Sequence, residues 1–295
     1  VTVQSYFIVS CARSGSTSLA QILNRATNGR CETEPVPDLN RECRDSMDGR
    51  LAEDPEAVLE RTVVRRVRAA AGSMAVYGEK HVTYGPFLRL MHRRLGCKFI
   101  YLKRDGRDVV RSLMDWHNLK FGTIYREAAD VGGESETARL SAANLPAHFD
   151  TSDYARPRPR PGEPLYAEWE GLTRFEMCAY YWARINDLYL TELSRLPPDS
   201  WITLDYRRPT AADVLRAAAF VGLVGLEPDV VAGMLNEKIN SVSSRTSPAA
   251  AGTGRGDAAP LPEPFPNWKA WTTERTAQFD RLAGAMMRQI GYAAD

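Results

Sequence analysis

The sequence has no apolar run long enough to span a bilayer. Its longest weakly polar stretch, Ala211 to Leu226, is interrupted by Asp213 and Arg216, short of the ~18–20 apolar residues a membrane helix needs. It also lacks net charge: 38 Lys and Arg stand against 37 Asp and Glu, a formal +1. Non-specific nucleic-acid binding rests on a large uncompensated positive field, so nucleic acid is not an expected partner. Cysteine is scarce and scattered. Cys11, Cys31, Cys43, Cys97 and Cys178 are an odd set with no C-x-x-C pair, and the chain has only 4 histidines. Neither a disulfide framework nor a zinc site is indicated, and free thiols in a reducing compartment are expected. No internal repeat is found, which excludes solenoids and propellers. Val1 to Ser10 carries neither a basic region nor a small-residue cleavage site, so the chain reads as cytoplasmic.

What is present is an ordinary globular composition, 44% hydrophobic and 25% charged over 295 residues. That length allows two domains or one large α/β unit. Strand and helix patterns alternate along it. Tyr6 to Val9 reads as a strand, then a small-residue loop, then a helix marked by Leu19, Ile22 and Leu23. Pro55 to Ala71 is an amphipathic helix on Val58, Leu59, Val63 and Val67. Met74 to Tyr77, Lys98 to Leu102 and Trp201 to Leu204 read as strands. Helices are expected over Pro86 to Leu95, Arg107 to Trp116, Glu168 to Leu196, Thr210 to Gly222 and Thr273 to Ile290. Repeated β-α units imply a parallel sheet flanked by helices, with ligands at the carboxyl ends of the strands.

The interval 120–165 breaks this rhythm at Gly132-Gly133 and at the Arg-Pro alternation from Arg156 to Pro161. It reads as a long excursion of a single domain, 1–295, with Trp116, His117, Tyr125 and Tyr154 in or beside it. Arg156, Arg158 and Arg160 are expected in an extended, solvated linker. The Ser, Gly, Ala and Pro-rich stretch 241–266 is expected to be a flexible loop.

Ser10 to Thr17 (SCARSGST) joins the first strand to the first helix. A small-residue turn there aims backbone N–H groups and a helix N-terminus at one point, which favours an anion. A nucleoside-triphosphate loop would place a lysine where this chain has Ser16, so Mg²⁺-assisted phosphoryl transfer is poorly provided for. A second constellation lies at the next strand end, where Arg104 is followed eight residues later by Ser112. An arginine at a strand edge and a hydroxyl two turns into the helix can grip one phosphate from two sides.

Together the segments Ile8 to Leu19 (IVSCARSGSTSL) and Phe99 to Leu113 (FIYLKRDGRDVVRSL) resemble the 5′-phosphosulfate loop and the 3′-phosphate segment of sulfotransferases that use 3′-phosphoadenylyl sulfate (PAPS). The arginine-containing loop is similar to that of carbohydrate and tyrosylprotein enzymes, and the chain reads as a bacterial member. Further matches follow in family order at Tyr77 to Lys80, Trp201 to Tyr206, Phe220 to Leu223, Trp268 and Gly291-Tyr292. The resemblance implies a P-loop-kinase-like α/β fold, PAPS as donor, PAP as product and no metal. It further implies an acceptor hydroxyl, less readily an amine, of a small-molecule natural product or a carbohydrate, with the excursion 120–165 and its Trp116, His117, Tyr125 and Tyr154 placed to wall the acceptor pocket; the residues themselves do not distinguish a carbohydrate from a phenol, a lipid or a peptide.

It also implies roles. Arg13, Ser14, Gly15, Ser16, Thr17 and Ser18 would hold the 5′-phosphosulfate. Arg104 and Ser112 would hold the 3′-phosphate, with Arg245 closing over it from the late loop. Lys80 would face the bridging oxygen of the donor. For the general base the candidates are Glu34, Glu79, Glu32 and His81, with Glu34 placed first. Trp268 is read as core packing ahead of an adenine platform. The rival readings are a metal-dependent, nucleoside kinase-like phosphotransferase and a non-catalytic nucleotide-binding scaffold.

Overall fold

The computed structural model of the chain describes residues 3–120, 125, 156–237 and 263–292. The elements in chain order are β1 (Gln4–Ser10), α1 (Ser16–Leu23), β2 (Gly29–Thr33), α2 (Asn40–Met47), α3 (Pro55–Leu59), α4 (Arg65–Ala70), β3 (Val76–Lys80), α5 (Leu88–Leu95), β4 (Lys98–Lys103), α6 (Gly106–Lys120), α7 (Arg174–Leu193), β5 (Trp201–Asp205), α8 (Ala211–Phe220), α9 (Pro228–Asn236) and α10 (Thr273–Gln289). A π-helical turn, Glu60–Val64, joins α3 to α4.

The five strands form one parallel sheet in the order β2-β3-β1-β4-β5. This is the expected α/β architecture, with the loop after β1 at the carboxyl edge of the central strand. The period of two along β1 sends Tyr6 and Ile8 to one face and Phe7 and Val9 to the other. Tyr6 and Ile8 pack with Leu19 and Ile22 of α1 and Val214 and Ala217 of α8. Phe7 and Val9 join Phe99 and Tyr101 of β4 and Trp182 and Tyr189 of α7. Both faces are covered, so β1 and β4 are apolar on both sides and their register is fixed by burial.

The helix ends follow their side chains. Thr173 begins α7 with a reciprocal capping box to Glu176, and Thr210 does the same for α8 with Asp213.

The structure departs from expectation at several elements. β3 runs two residues later than Met74 to Tyr77, so Lys80 is its last residue rather than a residue beyond it. β2, α2 and α9 were not anticipated at all.

The Arg-Pro segment differs most. Arg156 and Arg158 are 7% and 5% exposed, whereas a solvated linker was expected. The Arg156 carbonyl accepts from Arg44 Nη1 at 2.6 Å and from Arg158 Nη1 at 2.8 Å. The Pro157 carbonyl accepts from the buried Tyr125 hydroxyl at 2.5 Å. Proline brings no N–H that would need a partner, and the arginines satisfy the carbonyls, so this backbone can be buried without a ladder. Arg160 remains outside, paired with Glu163 at 2.9 Å.

Candidate active site

The loop from Cys11 to Gly15 joins β1 to α1. Gly15 sits at φ 95°, and a Cβ there would lie 2.2 Å from the ring of Tyr206. The Tyr206 hydroxyl in turn donates to Ser18 Oγ at 2.8 Å. Only glycine fits this turn. Arg13 also adopts a left-handed conformation, φ 65°, at a cost of ~1–3 kcal/mol for a residue with a side chain. Two contacts hold it there. Arg104 Nη1 donates to the Arg13 carbonyl at 2.9 Å, and Arg13 Nε donates to Ser112 Oγ at 3.0 Å.

α1 starts with no side-chain cap and no acidic residue in its first turn. The hydroxyls of Ser10 and Ser14 are buried and have no hydrogen-bond partner among the described residues. An open helix N-terminus with buried, unanswered hydroxyls is the donor set an oxyanion with several oxygens requires. Just upstream, the Ala12 N–H donates to the Tyr181 hydroxyl at 3.0 Å, pinning the loop's entry to α7.

Arg104 follows the end of β4. Its carbonyl accepts from Trp182 Nε1 at 3.2 Å. Gly106 lets α6 begin flat against that indole, because a Cβ would lie 2.7 Å from it. Buried Asp105 accepts from the Arg107 backbone N–H at 2.9 Å and from its guanidinium at 2.7 Å. These contacts fix the start of α6 and so the place of Ser112. The two segments, 91 and 99 positions apart at their contacting pairs, therefore meet in one place.

Lys80 and Glu34 lie beside them at the end of β3. The Lys80 ammonium is buried and paired with the Glu34 carboxylate, whose side chain is 54% exposed. The Glu34 N–H donates to the Lys80 carbonyl at 2.8 Å, which holds Glu34 against the strand end. Burial pushes the Glu34 carboxyl up, but the Lys80 ammonium bonded to it, with the more distant Arg156 charge, outweighs this and keeps Glu34 below the ordinary carboxylate value.

The other candidate bases are otherwise engaged. Glu79 points to the opposite face and is fully buried. It accepts from Arg66 Nε at 2.7 Å and Nη2 at 3.0 Å, from the Tyr77 hydroxyl at 2.8 Å and from the Tyr84 hydroxyl. Four donors fill its lone pairs. Glu32 shares Tyr77 with it, at 3.1 Å, and pairs with Arg30. His81 Nδ1 accepts from the Thr83 backbone N–H at 3.2 Å. A backbone donor on Nδ1 leaves the ring proton on Nε2. Burial pushes this imidazole down to about 3.

No family model matches the sequence, and no curated protein matches it. Sulfotransferases are among the solved structures it resembles. The sulfotransferase domain from the curacin biosynthetic pathway matches over 100% of this chain and 100% of its own, at 16% identity and a TM-score of 0.47. A sulfotransferase from Alicyclobacillus acidocaldarius matches over 96% of this chain and 97% of its own, at 15% identity and 0.43. A mouse sulfotransferase complexed with PAP matches over 97% of this chain and 85% of its own, at 13% identity and 0.44.

Of the remaining sequence candidates, Arg245 and Tyr154 lie outside the described residues, as does nearly all of 120–155. Trp268 is not core. It is half-buried on a short 3-10 turn, with the Arg107 guanidinium 3.8 Å from its ring centre. Among the described residues no group of three or more His, Cys, Asp or Glu is arranged to hold a metal, and no helix is long and apolar enough to cross a membrane.

The contacts of four neighbours of the site, Tyr206, Tyr181, Arg156 and Arg66, escaped the sequence. Tyr206 under the glycine stands in the quoted strand segment but carries no local mark of its role. Tyr181 and Arg156 are joined at 3.0 Å behind the loop. Arg66 reaches Glu79 from α4, 13 positions earlier in the chain.

Proposed function

We propose that the protein moves the sulfuryl group of PAPS to a hydroxyl, or less readily an amine, of a small-molecule natural product or carbohydrate, releasing PAP and needing no metal. The single observation that carries this reading is the meeting of the Arg13 loop with Arg104 and Ser112. One adenosine carrying charged groups at both 5′ and 3′ positions is the ligand such a pair of anion sites suits.

In this reading the backbone N–H groups and hydroxyls of Ser14 to Ser18 cradle the 5′-phosphosulfate at the start of α1. Glu34 takes the proton from the acceptor as its oxygen attacks sulfur in line. Lys80 meets the charge that builds on the bridging oxygen as the S–O bond to the nucleotide breaks. Glu34 suits the role by position, being half-exposed at the strand end beside Lys80. Glu79 instead anchors β3 through Arg66. The small-molecule or glycan class of acceptor rests on the sequence resemblance alone.

The test is transfer of labelled sulfate from PAPS to a hydroxyl library in excess chelator, with wild type and Glu34→Gln. The expected result is metal-independent transfer that falls ~10²-fold or more in the variant while PAP affinity is kept. No sulfate transfer from PAPS, with chelator-sensitive phosphate transfer from a nucleoside triphosphate instead, favours the phosphotransferase reading. Bound PAP with no acceptor turned over favours a scaffold.

A further inference from the structure

The sequence resemblance assigns Arg13 to the 5′-phosphosulfate, yet its side chain is turned the other way. Its Nε donates to Ser112 Oγ at 3.0 Å, and its guanidinium stacks 4.7 Å from the centre of the Trp116 ring. Both partners belong to α6, the element that carries the second anion segment. The Arg13 carbonyl is meanwhile held by Arg104 Nη1 at 2.9 Å. Backbone and side chain of one residue are thus both tied to the Arg104–Ser112 pair. The strained φ of 65° is the conformation in which they are so tied. Strain of this kind survives where surrounding contacts over-determine it.

We propose that Arg13 reads the 3′-phosphate of the donor, as a third arm beside Arg104 and Ser112, and so makes the site selective for nucleotides phosphorylated on the ribose. The inference rests on the PAPS reading and deepens it. A guanidinium is a planar fork of donors that grips phosphate oxygens in pairs. Trp116 sets the plane of that fork, and its bond to Ser112 keeps it beside the hydroxyl assigned to the same phosphate. The 5′ end is then left to the N–H groups and hydroxyls of Ser14 to Ser18, with Lys80 beside them.

The experiment is calorimetric titration of the full chain with 3′,5′-adenosine bisphosphate and with adenosine 5′-phosphate. Wild type is compared with Arg13→Gly, which tolerates the left-handed backbone, and with Arg13→Gln in case the glycine loosens the loop. The expected result is a preference of wild type for the bisphosphate that drops ~10-fold or more in both variants, while affinity for the 5′-phosphate is nearly unchanged. Equal loss for both nucleotides places Arg13 on the 5′ group and overturns this inference alone. Failure of wild type to bind the bisphosphate overturns the PAPS reading and the inference with it.

Discussion

His81 is the residue whose charge state the fold controls most directly, and the consequence is measurable. It is 5% exposed, with Nδ1 committed to Thr83. Burial pushes its pKa from 6.5 down to about 3. The unfolded chain therefore takes up a proton that the folded chain refuses, and stability falls as pH drops from about 6.5 towards about 3. At pH ~5 the gap from the ordinary value is about 1.5 units, worth about 2 kcal/mol at ~1.36 kcal/mol per unit. Most carboxylates are still ionised there, so their own titration interferes little. The assay is urea denaturation followed by tryptophan fluorescence at pH ~7.5 and ~5, for wild type and His81→Asn. Wild type should lose about 2 kcal/mol more than the variant between the two conditions. The comparison is made within each protein, so a general destabilisation by the substitution cancels. Equal losses in both refute the account of a buried neutral imidazole, and with it the exclusion of His81 as a base.

Three further outcomes are expected. Glu79→Gln leaves the Arg66 guanidinium, 12% exposed, without its counter-charge, and should cost ~3–5 kcal/mol by thermal or urea unfolding; a neutral result would return Glu79 to the list of bases. Gly15→Ala places a methyl 2.2 Å from the Tyr206 ring at φ 95°, and PAP affinity should fall ~10-fold or more, only partly restored by adding Tyr206→Ala, because the backbone strain stays. If Glu34 is the base, the acid limb of kcat/KM lies below the ordinary glutamate value of 4.5. A limb near pH ~6–7 in the steady-state profile would point to another group.

The two central strands, β1 and β4, were legible because their apolar residues face both layers. Tyr6 to Val9 and Phe99 to Leu102 are buried throughout, and their runs announced them. β2 did not, because Gly29–Thr33 is an edge strand with a single fully buried residue, Cys31, and shows no alternation. α2 is nearly all polar, with Cys43 as its one buried apolar residue. β3 was placed early because its second half, Gly-Glu-Lys, has no apolar signal. The burial of Glu79 and Lys80 depends on Arg66 and Glu34, which no local window contains. The loop and the Arg104–Ser112 spacing were legible since each motif is local. Which carboxylate stands half-exposed at the strand end beside Lys80 was not, because that is decided by which cations and tyrosines the fold brings to each one. Arg156 shows the same limit: its neighbours Arg44 and Tyr181 come from distant helices.

The Tyr181 hydroxyl receives the Ala12 N–H from one side and Arg156 Nη1 from the other, each at 3.0 Å. The loop after β1 and the segment that begins at Arg156 are thereby coupled through one oxygen atom. If the PAPS reading holds, substitutions near Arg156 aimed at new acceptors will not be independent of the nucleotide. Variants chosen for a wider substrate range will carry altered donor constants, and libraries built there should be screened at more than one donor concentration.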